Sequence, residues 1–173
     1  ACGRSVPSRR TLATGPGCGH RMGMELDQLD HMPSVKLVMT PFPYCVEADA
    51  SLARAREMMV EYEIHHLPVT DHGELVGVIS GREVALGTAI ASVRDPSQEP
   101  RVREACVLHA YVVEDTEPLD RVLAHMAEQR LGSAMVTRRG KLVGVFTVTD
   151  ACRVLAVWLR QHFGQSPDGD EAA

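Results

Sequence analysis

Two stretches decide the fold: Gly73–Val84, reading GELVGVISGREV, and Gly140–Ala151, reading GKLVGVFTVTDA. Each runs glycine, charge, Leu-Val-Gly-Val, an apolar residue, a hydroxyl, two further residues and an acid. The acid is Glu83 in the first and Asp150 in the second. His72-Gly73 and Arg139-Gly140 are hairpin punctuation between short apolar runs. They join LPVTD to ELVGVIS, and AMVTR to KLVGVFT. The second strand of each hairpin is apolar nearly throughout, so burial on both faces is expected.

Working outward, the chain can be laid on itself from Val35 at a constant offset of 67 residues. Residues 35–84 against 102–151 give 15 identities in 50 positions, seven of them between Val69 and Val78. Two copies at so long a period indicate a duplicated supersecondary unit, not a solenoid. Each copy opens with a short strand around YCV or YVV, carrying Tyr44 and Tyr111 at matched positions. A helix follows, its start marked by Asp49 in one copy and Thr116 in the other, with Pro118 in the first turn. Leu52, Ala55, Met59 and Tyr62 share one face of it, as do Leu119, Val122, Leu123 and Met126. After the hairpin comes a second helix. The first copy's ends by RDPSQEP, where Asp95-Pro96 and Pro100 form a linker. The second copy's runs to about His162 through Val154, Leu155, Trp158 and Leu159. Each unit therefore reads β-α-β-β-α, an α+β fold. Three strands alone bury their faces poorly, which is the physical reason to pack two units together.

Five divisions follow: an extension over 1–34, a first unit over 35–94, a linker over 95–101, a second unit over 102–163 and a loose tail over 164–173. The extension is rich in Gly, Ser, Pro and Arg and reads as flexible, or as an organelle transit peptide. Its first 24 residues hold four arginines and no acid, so the formal charge of −5 for the whole chain leaves −9 on the rest. A body that acidic is a poor partner for nucleic acid. No apolar run is long enough for a membrane span. The five cysteines are scattered and odd in number; they read neither as a zinc ribbon nor as a disulfide scaffold, and a reducing, cytoplasmic setting fits them.

The stretch VMTPFPYCVEADASLARAREMMVEYEIHHLPVTDHGELVGVISGREV and its weaker repeat resemble the cystathionine-beta-synthase (CBS) domain, which occurs in tandem pairs called Bateman modules. The resemblance covers about Val35 to Phe163. It implies tandem domains packed about a pseudo-two-fold axis, and a regulatory, non-enzymatic role: sensing AMP, ADP, ATP or S-adenosylmethionine in the cleft between the domains. No cofactor is required. It implies a homodimer paired through helices and an effector protein as the target. The family's ligand signature, a Ser or Thr three residues before Asp, falls on Thr147 and Asp150, and with one change on Ser80 and Glu83. A carboxylate can accept both hydroxyls of a ribose diol in charge-assisted bonds, a hydroxyl can donate to phosphate, and a helix N-terminus suits an anion. Arg82 stands where family members often carry a basic residue, and Thr149 replaces it in the second half. Backbone around HLP and SAM, which include His66, Pro68 and Ala134, can bond an adenine edge; Thr40 in the lead-in completes the expected ligand set.

Other readings stand beside this one. A hydroxyl and an acid at a strand-to-helix junction are also an ordinary cap. A pair that has lost its ligand would serve as a dimerisation or docking module. His65, His66 and His72 are close in sequence, but adjacent strand residues point to opposite faces, which argues against a metal site. Cys106 aligns with the apolar Met39 and reads as a small packed residue, not a nucleophile. Trp158 serves either its own core or a dimer surface.

Overall fold

The computed structural model describes residues 31–95 and 97–163. The expected extension, apart from residues 31–34, and the tail lie outside the described residues. The chain forms two β-β-α-β-β-α units. The first contributes β1 (Thr40–Pro41), β2 (Val46–Glu47), α1 (Leu52–Glu61), β3 (His66–Asp71), β4 (Glu74–Ser80) and α2 (Gly81–Arg94). The second contributes β5 (Val107–Leu108), β6 (Val112–Glu114), α3 (Leu119–Glu128), β7 (Ser133–Arg138), β8 (Lys141–Thr147) and α4 (Val148–Phe163). The hairpin turns are as read: His72 and Gly73 have φ of 51° and 86°, Arg139 and Gly140 of 52° and 74°. Positive φ at both central residues matches the twist of the flanking strands.

The lead-in strands cross over. One sheet has the order β2-β3-β4-β5 and the other β1-β8-β7-β6, so each unit's lead-in lies on the other unit's sheet. Thr40 pairs with Val145 and Val107 with Val78. The cores follow the same exchange. Val102, from the second repeat, is buried with Val46, Leu52, Leu67 and Ile79; Val35, from the first, is buried with Val113, Val122, Val136 and Phe146. This explains the glycine inside both LVGV runs. A Cβ on Gly77 would stand 2.5 Å from the Val107 carbonyl oxygen, and one on Gly144 would run into Met39. Pro33 and Ser34, assigned to the extension by composition, also belong to this exchange: Leu119 donates its N–H to the Pro33 carbonyl at 2.8 Å, and Ser34 bridges Pro118.

The helix faces are largely as expected. Leu52, Ala55 and Met59 are buried in α1, joined by Met58, and Leu119, Val122 and Met126 in α3. The helix starts differ from expectation. Ser51, not Asp49, accepts from the Arg54 N–H, and α3 begins after Pro118, not Thr116, with no side-chain cap. Asp49 instead takes ion pairs from Arg101 at 3.2 Å and Arg103 at 2.8 Å. Burial of the hairpin strands is partial: β4 and β8 each begin exposed and end half-buried. Among the described residues no helix is long and apolar enough to cross a membrane.

Candidate functional site

In each unit the second hairpin strand runs directly into a helix, so its last residue becomes the helix N-cap. Ser80 closes β4 and Thr147 closes β8. Across the hairpins Ser80 faces His66 and Thr147 faces Ser133. The next backbone N–H returns to the neighbouring loop, from Gly81 to the His65 carbonyl and from Val148 to the Gly132 carbonyl. These two ends meet: a Cβ on Gly132 would stand 3.0 Å from the His66 Nε2. The repeat thus brings both hydroxyl–acid pairs beside the junction between the units.

Both acids reach back to cap their own helix. The Asp150 Oδ2 accepts from the Thr147 N–H at 2.9 Å and hydroxyl at 2.7 Å, and the Asp150 N–H lies 3.3 Å from the Thr147 hydroxyl. Its Oδ1 accepts from the Arg153 guanidinium at 2.8 Å. In the first half the Glu83 Oε2 accepts from the Ser80 N–H at 2.9 Å and from the Ser80 hydroxyl. The longer glutamate therefore closes the same reciprocal box. The capping reading holds in both halves, and it leaves the acid beside the junction either way.

The two halves are not electrostatically equal. Asp150 is buried under Arg153, with its side chain 9% exposed, while Glu83 is half-buried and forms no ion pair among the described residues. Partial burial pushes the Glu83 carboxyl up, but bonds from the Ser80 hydroxyl and from backbone N–H groups outweigh it and hold it below its ordinary value. Burial pushes the His66 imidazole down; Glu83 opposes and His65 adds to that shift.

Of the remaining expected residues, Arg82 and Thr149 are exposed on the first turns of α2 and α4. Thr40 is exposed on β1, and the strand exchange places it on the second unit's sheet, beside β8. Pro68 and Ala134 are fully buried, so any part they take is through backbone. Tyr44 stacks on Tyr62 with ring centres 3.8 Å apart, and Tyr111 stacks on His125 at 4.3 Å. Among the described residues no three His, Cys, Asp or Glu side chains converge as metal ligands. Cys106 packs against the first core and burial pushes its thiol up, the wrong direction for a nucleophile. A cavity of about 570 Å³ opens beside Glu83 between Leu52, Leu86, Ile90 and Glu104, and neither Thr147 nor Asp150 lines it. Arg153 was not expected; its i,i+3 spacing from Asp150 on a helix was the available signal.

The low His66 value has a consequence for stability. The folded chain resists the proton that the unfolded chain accepts near the ordinary value of 6.5, so this contribution is complete above that pH and is lost as pH falls through it. Between pH 7.5 and 5.5 the melting midpoint is expected to fall, and His66→Gln to flatten the fall; an equal slope in the variant would remove His66 from the account.

The model of the CBS domain family matches residues 35–86 and 102–157. The chain belongs to the CBS domain family. It is a tandem CBS pair, or Bateman module. Among similar proteins, the L-aspartate semialdehyde sulfurtransferase of Methanocaldococcus jannaschii is 28% identical over 122 residues, 69% of this chain; the chain spans only 23% of that relative's length. The CBS domain pair of protein MJ0100, solved with 5′-methylthioadenosine and S-adenosyl-L-methionine, superposes with a TM-score of 0.65 at 23% identity, covering 74% of this chain and 99% of that one. CBSX2, solved with AMP, superposes with a TM-score of 0.63 at 25% identity, covering 73% and 98%.

Proposed function

We propose that this CBS pair is a regulatory module that senses an adenosine-containing nucleotide in the cleft between its domains and signals to a partner protein. The observation that carries the reading is the paired placement of Ser80/Glu83 and Thr147/Asp150 at strand-to-helix junctions that meet through His66 and Gly132. Similar pairs solved with AMP, or with S-adenosyl-L-methionine and 5′-methylthioadenosine, support the class of ligand. A carboxylate beside a hydroxyl and a helix start supplies acceptors for a ribose diol and donors for an anion. A ligand touching both domains favours one arrangement of them, and shifts the equilibrium only by its difference in affinity between arrangements. The last helices bear apolar residues that the pair itself leaves uncovered: Leu86, Ile90 and Val93 on α2, and Leu155, Leu159 and Phe163 on α4. We assign these faces to a homodimer. Trp158 is 37% exposed there and tilts against His162, so it belongs to that surface more than to a core.

A thermal-shift panel of AMP, ADP, ATP, NAD and S-adenosylmethionine tests the reading. A ligand at about 100 times its Kd adds roughly 2.7 kcal/mol, which is on the order of 5–11 °C for a domain of this size. Asp150→Asn keeps an acceptor for the Thr147 cap but removes the charge. Loss of the shift in that variant, and not in Glu83→Gln, would place the ligand in the second half. A flat response across the panel would leave a docking module without a ligand.

A further inference from the structure

The two halves differ in one respect that bears on ligand choice, and the inference drawn from it rests on the ligand-sensing reading above. The Asp150 Oδ2 is taken by the Thr147 N–H and hydroxyl, and the Oδ1 by the Arg153 guanidinium at 2.8 Å. A ribose diol needs acceptor positions on this carboxylate, so it competes directly with Arg153. Arg153 is able to yield: its side chain is 56% exposed while that of Asp150 is 9% exposed, so the guanidinium can swing into water and the carboxylate cannot. In the first half the equivalent position is Leu86, and among the described residues no cation pairs with Glu83.

We propose that Arg153 selects the ligand of the second half: the ribose displaces it from Asp150, and it re-pairs with a phosphate on the same sugar, so that this half takes a phosphorylated adenosine in preference to a neutral or cationic one. The exchange is local. The displaced guanidinium stays tethered to the first turns of α4, within side-chain reach of groups carried by a ribose held at Asp150. A neutral nucleoside breaks the Arg153–Asp150 pair and returns nothing to the guanidinium. A phosphate returns a charge-assisted, two-pronged contact of the kind for which arginine is suited. S-adenosylmethionine places a sulfonium on the 5′ carbon, beside a released cation, and is disfavoured by like charge.

Titration calorimetry of the full chain with AMP, adenosine and S-adenosylmethionine tests this, using the site that Asp150→Asn abolishes. The wild type is expected to prefer AMP. Arg153→Leu, which copies the first half, should bind adenosine more tightly and AMP less tightly, lowering the AMP-to-adenosine ratio by about tenfold or more, the worth of one charge-assisted contact. Arg153→Lys keeps the charge and should restore part of the preference, a rescue that a merely structural role does not predict. Binding with an unchanged ratio in Arg153→Leu would overturn the selection role and leave the sensing reading intact. Absence of binding by the wild type to all three compounds would overturn both.

Discussion

Phe146→Ala is expected to lower stability by about 3–5 kcal/mol, the usual result of deleting a buried aromatic side chain. Phe146 is fully buried at the centre of the second core, with Val35, Val113, Val122 and Val136 around it. At about 2–4 °C per kcal/mol for a domain of this size, the midpoint should drop by roughly 6–20 °C. The residue also precedes Thr147 on β8, so the cavity lies under the strand that aims the Thr147–Asp150 pair. Chemical denaturation with the midpoint read by circular dichroism settles it. A loss below about 1 kcal/mol would mean that the second core is not packed as described, because substitutions of that size belong to surfaces.

The second large effect tests the exchanged lead-ins. Leu52→Ala should remove about 2–5 kcal/mol, since Leu52 is buried in the first core and packs so closely on Gly87 that a Cβ there would stand 2.8 Å from it. Val102 belongs to the second repeat by sequence, yet its N–H donates to the Ala50 carbonyl at 2.9 Å and its side chain lies in the Leu52 core. A double-mutant cycle between Val102→Ala and Leu52→Ala should therefore show coupling of about 0.5–3 kcal/mol, whereas Val102→Ala and Phe146→Ala should add to within about 0.5 kcal/mol. Coupling of Val102 to Phe146, with none to Leu52, would place each lead-in on its own unit and contradict the sheet order.

Much of this is legible in the amino-acid sequence alone. His72-Gly73 and Arg139-Gly140 marked the hairpins because positive φ at a two-residue turn admits few residue pairs. The 67-residue offset marks the duplication, and the spacings Leu52-Ala55-Met59 and Leu119-Val122-Met126 mark the buried face of each unit's first helix. The exchange was not legible, because a repeat aligned on itself says which residues are equivalent and not which copy each one touches. Gly77 and Gly144 were the clue, since a glycine amid β-branched residues often marks the close approach of another backbone. The helix starts failed for a local reason. Asp49 and Ser51 are both competent caps for α1; Ser51 stands directly before Leu52 and takes the role, while Asp49 is engaged by Arg101 of the linker and Arg103 of the second lead-in. In the other unit Thr116 lies two residues short of Pro118, after which α3 starts. At the site, the reciprocal capping by Thr147 and Asp150 followed from spacing alone, while the burial of Asp150 beneath Arg153 needed the three-dimensional course of α4.

The crossing of the lead-ins bears on how such a chain can have arisen. A solitary unit of this design sends its opening strand outward, where it finds no sheet of its own to join, and keeps a sheet edge and a core gap that only someone else's strand can fill. Such a unit completes itself by trading arms with a second copy. Joining two copies end to end turns that trade into an internal affair, independent of concentration, and frees the two partners to diverge, as an aspartate in one and a glutamate in the other now record.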